Sequence, residues 1–595
     1  MLREFKSFLW SWKYPLLFVG FFLIVLTQRF LNEKQRGLMN SVTSDGLGYY
    51  CYLPAAVIYH DFSYSFYDKP ENKINPFYRP SLNEHNGRGV NKYYCGTSIC
   101  LLPFFLFGIL ISLIAGTDIN GYTDTFLMLV SIASIIYYLL SVFLISKVAK
   151  FFNISEKVSL GASLVFFFGT NLFHYTIQEP SMSHVYSFFA VSLFLFSFVR
   201  LINNTSIKNL AFLGLSLALV VLIRPVNLVV IFFTPFFFAN FKEYLSFIKS
   251  LFICHLKGLI YFIFAVVFVS SIQLIFYYFQ TGDFFVFSYE GETFNFAKPE
   301  FINVLFSYKK GLIFYVPILF LVIIVFLFTK AYWYKKIVFG ITFIIFLYIT
   351  SSWWCWWYGE GLSIRPIVDI LPLFVIVSVL MYNKLSVIKR KILVFVTLPF
   401  LFMSQLTAYQ YSNFLLSRDD MNEEKYWDAF LKTDLIEVLN KKEKRILMGS
   451  PIVKEVILDY EYSENDSRIV DGGYYSAKSC IVGEGNYYSK GFCIAKNDIN
   501  LDDTFYLLVE CMIKPSEEGK NVALVVSISE KERVKTWNVV FSSFFEKNED
   551  GWLKMKNIVE VDKYIFTDGS DIKIFVNSER GNNLVDNLKY SIVKK

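Results

Sequence analysis

Apolar blocks of roughly 16 to 22 residues recur along this chain as far as about residue 410, and that is the length an α-helix needs to cross a bilayer. They lie near 14–30, 98–116, 124–146, 158–177, 182–200, 209–224, 226–240, 258–279, 311–329, 336–352, 366–382 and 392–410. Inside lipid every backbone polar group must be satisfied within the protein, which leaves helices as the spanning elements for such blocks. The 595-residue chain is 55% hydrophobic, with 66 Phe and 39 Tyr, which excludes an ordinary soluble domain. The opening MLREFKSFLWSWK has the charged start of a signal peptide, but no small-residue cleavage site follows. Residues 14–30 therefore read as a retained first helix.

The net charge of +7 is no nucleic-acid signal, because Lys and Arg gather at the ends of apolar blocks, where they set topology. Arg3, Lys6 and Lys13 put the N-terminus inside. Lys147, Lys150 and Lys157 mark one inside loop, Arg200 and Lys208 the next, then Lys242, Lys249 and Lys257. Lys330, Lys335 and Lys336 follow, and finally Lys384, Lys389, Arg390 and Lys391. Residue 31 is then outside and Lys147 inside, yet two apolar blocks separate them where an odd number of crossings is required. Block 98–116, SICLLPFFLFGILISLIAG, holds Pro103 and two glycines and is the poorer continuous helix of the pair. It reads as juxtamembrane or re-entrant. The expected fold class is an α-helical polytopic membrane protein of about 11 spans, N-terminus inside and C-terminus outside. Twelve plain crossings is the alternative, at the cost of one misplaced segment.

Past residue 411 the character changes. A charged, helical linker at 412–446 precedes a region, 447–595, of short runs alternating apolar with polar residues, such as KEVILDYEY, TFYLLVECMIK and DIKIFVN. Turn residues such as EEGK, KNEDG and ERGNN separate them. Eight or so strands in about 150 residues read as an extracytoplasmic β-sandwich, jelly-roll-like in type. Its close, NLVDNLKYSIV, resembles the last strands of carbohydrate-binding jelly rolls. Sugar recognition and a structural lid are both open for this domain. The eight Cys form no CxxC pair, which argues against metal ligation. Cys480 and Cys493 could bridge a hairpin, but two unpaired thiols is the preferred reading.

With sides assigned, polar exceptions converge outside. SDGLGYYCYLP places Asp45 at the start of a long first outer loop, 31–97, among glycines and aromatics that offer it few local partners. NEHNGRGVNKYYCG ends that loop with Glu84, His85, Arg88 and Lys92. TIQEPSMSHVY puts Glu179 and His184 in the next outer turn, LIRPVN places Arg224 in another, and SSWWCWWYGEGLSIRP brings Glu360 and Arg365 beside four tryptophans. Arg88, Glu290 and Glu292 read as solvated anchors. Glu179 with His184, and Arg224, sit beside prolines where helices break, and ionisable groups at membrane depth tend to be functional. Carboxylates beside cations suit a general base that activates a hydroxyl while guanidinium groups hold a departing phosphate.

These residues resemble the C-type membrane glycosyltransferases, within them the branch of protein O-mannosyltransferases and the lipid A aminoarabinose transferase. SDGLGYYCYLP looks like that family's acidic site early in the first outer loop, although the common acidic pair is a single Asp45 here. NKYYCGTSICLLPFF is similar to the segment that leads into a juxtamembrane helix, with the Lys-Pro-Pro element reduced to Lys92 and two Tyr. QEPSMSHVY occupies the place of the second outer loop. The resemblance runs in order over roughly the first 230 residues, and more loosely to about 410.

It implies an inverting transfer of a sugar from a polyprenyl phosphate to an extracytoplasmic glycan, lipid or protein acceptor. Asp45 would be the base, with Glu179 and His184 orienting the acceptor or tuning Asp45. Lys92, Arg224 and Arg365 would bind the donor phosphate, and Tyr49, Tyr50, Glu84 and Glu360 the sugar or acceptor. No cofactor is required, although a divalent ion held by Asp45 and Glu179 is compatible with the residue types. Phe- and Lys-rich, Ala-poor usage points to a bacterial inner membrane with the β-domain in the periplasm. A non-catalytic glycan-assembly or carbohydrate-binding membrane protein, and a lipid or sugar transporter, are the rival functions. A transporter should show inverted repeats and mid-membrane polar groups, neither of which the sequence displays.

Overall fold

The computed structural model describes residues 41–461, 466–483, 486–499, 503–516, 522–531, 533–578 and 581–595. The expected first helix at 14–30 and the basic residues Arg3, Lys6 and Lys13 lie outside the described residues. The chain divides into two compact units. One runs as far as Tyr409 and takes in Arg418–Asn422; the other holds Gln410–Ser417 and Glu423–Lys595.

The first unit is a helical membrane region, and the protein is a multi-pass membrane protein. Among the described residues seven helices are long and apolar enough to cross a bilayer. They are Gly96–Ala115, Asp124–Phe151, Ser183–Asn203, Leu256–Thr281, Trp333–Ser351, Ile367–Lys384 and Val387–Ser412. An eighth arises if Pro225–Phe237 and Phe241–Cys254, bent by 110°, count as one span. The remaining apolar blocks are shorter or interrupted, for local reasons. Block 158–177 breaks at Thr170 and Asn171 into Glu156–Gly169 and Leu172–Ile177. Block 209–224 is the 17-residue helix Ile207–Ile223. Block 311–329 breaks before Pro317 into Leu312–Tyr315 and Ile318–Phe328. Block 226–240 is a 3-10 helix, Pro225–Phe237, with Pro at both its start and position 235. At about 2.0 Å per residue its 13 residues reach roughly 26 Å, further than an α-helix of that length.

Gly96–Ala115, expected as juxtamembrane or re-entrant, is a single unbroken helix with Pro103 inside it, long and apolar enough to cross a bilayer. The proline removes one donor, and such losses are tolerated in apolar helices where neighbours make up the loss. Leu106, Phe107, Leu110, Leu113 and Ile114 are exposed, and a lipid-facing flank accounts for them.

The first loop, featureless in sequence, is ordered by its aromatics. It opens with the short helix Asp45–Tyr50, continues through a π-helical turn at Pro54–Tyr59, and closes with a hairpin of β1 (Asn83–His85) and β2 (Arg88–Val90). Tyr59 stacks on Phe66 at 4.2 Å between ring centroids, within a cluster with Cys51, Ala55 and Tyr64. Buried aromatic area of this kind offsets the entropy of ordering a long loop.

The second unit begins with helices Glu423–Ala429 and Leu435–Gly449, followed by antiparallel sheets. Its strands are β3 Ile452–Leu458, β4 Ile469–Asp471, β5 Lys478–Gly483, β6 Phe492–Ala495, β7 Phe505–Lys514, β8 Ala523–Glu530, β9 Arg533–Phe541, β10 Leu553–Val561, β11 Ser570–Asn577 and β12 Asn582–Lys594. One sheet is ordered β10-β7-β12-β5-β4 with β3 also on β12, and the other β6-β11-β8-β9. β11 shows the period-2 pattern, burying Ile572, Ile574 and Val576. β12 carries a register shift between Asp586 and Lys589 that turns the buried Asp586 carboxylate onto the backbone N–H groups of Tyr474 and Tyr475, at 2.7 and 2.8 Å. Cys480 and Cys493 are free thiols on strands of different sheets.

Candidate active site

Asp45 opens the DGLGYY helix, where a negative side chain suits the helix N-terminus. The two glycines of that turn explain its placement. A Cβ on Gly46 would fall on the Ser181 side chain, and one on Gly48 would fall on the Tyr93 ring. Only glycine lets the first loop press against the QEPSMSHVY turn and the NKYY segment at once. Gly46→Ala is accordingly expected to cost about 1–3 kcal/mol by overpacking, read as a lowered melting temperature of the detergent-solubilised protein. An unchanged melting temperature would mean that Ser181 gives way.

Both carboxylate oxygens of Asp45 are engaged. The Tyr93 hydroxyl donates to Oδ1 at 2.6 Å, and Arg365 Nη2 lies 2.5 Å from Oδ2. The Asp45 side chain is 23% exposed and that of Arg365 15%. Burial raises the Asp45 pKa, but Arg365, the Tyr93 hydroxyl and Lys92 outweigh it and hold the carboxyl below the ordinary aspartate value. Lys92 itself pairs with Glu292 at 2.8 Å and lies over the Tyr93 ring. Glu292, expected as a solvated anchor, is thus tied into the neighbourhood of Asp45.

Tyr49 links this pair to a second one. Its ring is 4.8 Å from that of Tyr93, and its hydroxyl feels the charges of Arg224, Asp45 and Arg365 together. Arg224 Nε sits 3.2 Å from Asp369 Oδ2, and His184 Nδ1 sits 2.9 Å from Asp369 Oδ1. Glu179 meets His174 Nε2 at 3.2 Å; burial raises its pKa, while His174, Arg418 and Arg365 lower it further, leaving it below the ordinary glutamate value. Lys310 donates to the Gly361 carbonyl, on the turn that leads to Arg365. Burial pushes Lys310 down to about 7 against the pull of Asp419 and Glu179.

Asp45, Lys92, Tyr49, Glu179, Arg224 and Arg365 therefore belong to one electrostatic neighbourhood. Four other expected residues are turned to other partners or lie apart from this network. His184 is 1% exposed and its Nδ1 is engaged with Asp369. Tyr50 is 1% exposed and donates to the Gly121 carbonyl among Phe105 and Tyr122. Glu84 is exposed on the hairpin, opposite Gly89 and outside the network. Glu360 is exposed next to Gly361. Asp369, Tyr93, His174 and Lys310 were not anticipated. Asp369 had a visible signal, a carboxylate inside the apolar block 366–382, where such a group is expensive.

Asp45 pairs with Arg365 and Glu179 meets His174, and among the described residues no group of three or more His, Cys, Asp and Glu side chains that could hold a metal ion converges.

The sequence matches no protein-family model and no curated protein. Among solved structures, arabinosyltransferase EmbB from Mycobacterium smegmatis aligns over 79% of this chain and 57% of that chain, at 9% identity and a TM-score of 0.27. A likeness at that level carries no residue role or activity across.

Proposed function

We propose that this protein is a membrane glycosyltransferase that moves a sugar, with inversion, from a polyprenyl-phosphate donor to an acceptor outside the membrane. The observation that carries the reading is a carboxylate, Asp45, held ionised between the Tyr93 hydroxyl and the Arg365 guanidinium, with Lys92 lying over the Tyr93 ring. In the proposed step Asp45 takes the proton of the acceptor hydroxyl as that oxygen bonds to the anomeric carbon. The bond from the anomeric carbon to the phosphate oxygen breaks, and polyprenyl phosphate leaves with the electron pair. Arg365, Arg224 and Lys92 receive its charge. A phosphate that shares Arg365 with Asp45 weakens the hold on the carboxylate and so strengthens the base. Glu179, with its side chain 22% exposed, is the acceptor-side carboxylate in this scheme.

Two features of organisation support the same reading. The basic residues at helix ends favour an outward placement of Asp45, Glu179, Arg224 and Arg365 and a C-terminal unit outside the membrane, with about eleven crossings. In the second unit β5 pairs β12, β6 pairs β11, β7 pairs β10 and β8 pairs β9, as in one long hairpin folded over. The cross-pairs β12 with β7 and β11 with β8 support a jelly-roll reading of this unit.

The test is donor turnover by the purified full-length protein in lipid nanodiscs against a panel of polyprenyl-phosphate sugars. Sugar consumption with release of polyprenyl phosphate is expected. A protein that neither binds nor consumes any member of the panel would remove the glycosyltransferase reading.

A further inference from the structure

Asp369 has no part in the transfer step, yet it is among the most costly residues in the fold. It is fully buried, in the first turn of an apolar helix, and an isolated carboxylate there would be strongly penalised. Its two oxygens are divided: Oδ1 is hydrogen-bonded with His184 Nδ1 at 2.9 Å, and Arg224 Nε lies 3.2 Å from Oδ2 as an ion pair. A guanidinium presents its donors in a fixed planar fork. The ion pair draws the Nε side of the Arg224 guanidinium to Asp369, and the two terminal nitrogens are the donors a further acceptor would meet.

The backbone explains why the anchor sits at this position. Arg224 follows the helix Ile207–Ile223 in extended conformation and precedes Pro225, so it lies on neither neighbouring helix, and a tether is needed to fix its side chain. Asp369 lies one turn beyond Arg365, and the amide of Val368 donates to the Arg365 carbonyl at 3.2 Å. One helix start thus carries the arginine that meets Asp45 and the carboxylate that meets Arg224. Both guanidinium groups act on Tyr49, which lies next to Tyr93. His184, 1% exposed and packed at 4.9 Å on the Tyr175 ring, braces the far side of Asp369.

We infer that Asp369 is a positioning residue, braced by His184, that holds Arg224 through a buried ion pair and sets the spacing of the Arg224 and Arg365 guanidinium groups as a two-armed clamp for the donor's phosphate. The inference rests on the glycosyltransferase reading, because it names the phosphate as the clamp's ligand. It also accounts for His184 without any contact to acceptor.

The experiment measures binding of polyprenyl phosphate, the sugar-free product, to full-length protein in nanodiscs, together with the melting temperature of each variant. Asp369→Asn is expected to bind about 10-fold more weakly, because the neutral amide no longer holds the Arg224 charge in place. Arg224→Lys keeps an ion pair with Asp369 but commits its one ammonium to it, and a loss of similar size is expected. The double variant is expected to bind no worse than either single one, since both changes remove the same arm. Full additivity, or wild-type affinity in Arg224→Lys, would overturn the clamp. If Asp369→Asn does not fold, Arg224→Lys alone decides. Failure of the wild-type protein to bind polyprenyl phosphate would count against the glycosyltransferase reading itself. Binding by wild type with unchanged affinity in the variants would overturn only the positioning role.

Discussion

Asp45→Asn should lower transfer by roughly 10²- to 10⁴-fold without weakening donor binding, the usual contribution of a positioned general base. Asparagine has the shape of aspartate, and its carbonyl oxygen can still accept from the Tyr93 hydroxyl, which in the wild type donates at 2.6 Å. What disappears is the basic lone pair and the charge facing Arg365. That charge is the competitor of the donor phosphate for the same guanidinium, so removing it should leave polyprenyl-phosphate affinity equal or improved. The combination, a large fall in turnover with affinity kept, separates a base from a binding residue. Acidification gives a second check. The carboxyl lies below the ordinary aspartate value, so the base stays ionised, and the rate insensitive to this group, down through the range where free aspartate takes up a proton. The rate then falls as pH drops through that lowered value. Turnover of the variant within a few-fold of wild type would take Asp45 out of the base role.

How far the site could be read from the sequence depended on which physical signal each residue left. Asp45, Glu179, Arg224 and Arg365 announced themselves as charges at the ends of apolar blocks, and the structure brings all four into one neighbourhood. Asp369 left the same kind of signal, but it lies inside a block that counts well as a span, and hydropathy averages such a residue away. Tyr49 and Tyr50 show a different limit. Neighbouring helical residues point about 100° apart, so only one of the two can face a given side. Nothing in GYY says which, and the choice is made by distant partners, Tyr93 for one and Gly121 for the other. His184 was judged by its neighbour Glu179 in sequence, whereas its partner Asp369 is 185 residues away. The same limit applies to the helices. Length and apolarity mark the long helices clearly, while breaks at Thr170 and Asn171 and the 3-10 course after Pro225 depend on how neighbouring helices satisfy the backbone. In the second unit, alternation gave the strands, but the pairing of β5 with β12 joins residues about a hundred positions apart, which no local pattern encodes.

Arg365→Met should be the most destabilising change at this site, and its cost should depend on pH in a direction fixed by Asp45. Breaking a buried pair by removing one partner costs about 3–5 kcal/mol, because the remaining charge is left desolvated. Tyr93 and Lys92 still face Asp45, which places the expected loss near the low end of that range. In the wild type the folded-state pKa of Asp45 is depressed, so its contribution to stability is present above the unfolded value and lost as pH falls through the folded one. Without Arg365 the largest influence left is burial, which raises the pKa. Folding of the variant is then opposed by Asp45 at neutral pH and relieved as the carboxyl takes up a proton. The gap in melting temperature between wild type and Arg365→Met is therefore expected to narrow from pH 7 towards pH 4. Adding Asp45→Asn to Arg365→Met should recover part of the loss at pH 7, since two neutral groups replace one unpaired charge. Thermal melts of the four proteins at both pH values measure this directly. A single variant that melts with the wild type at pH 7, or a gap that widens on acidification, would show that the Asp45 and Arg365 pair does not hold this site together.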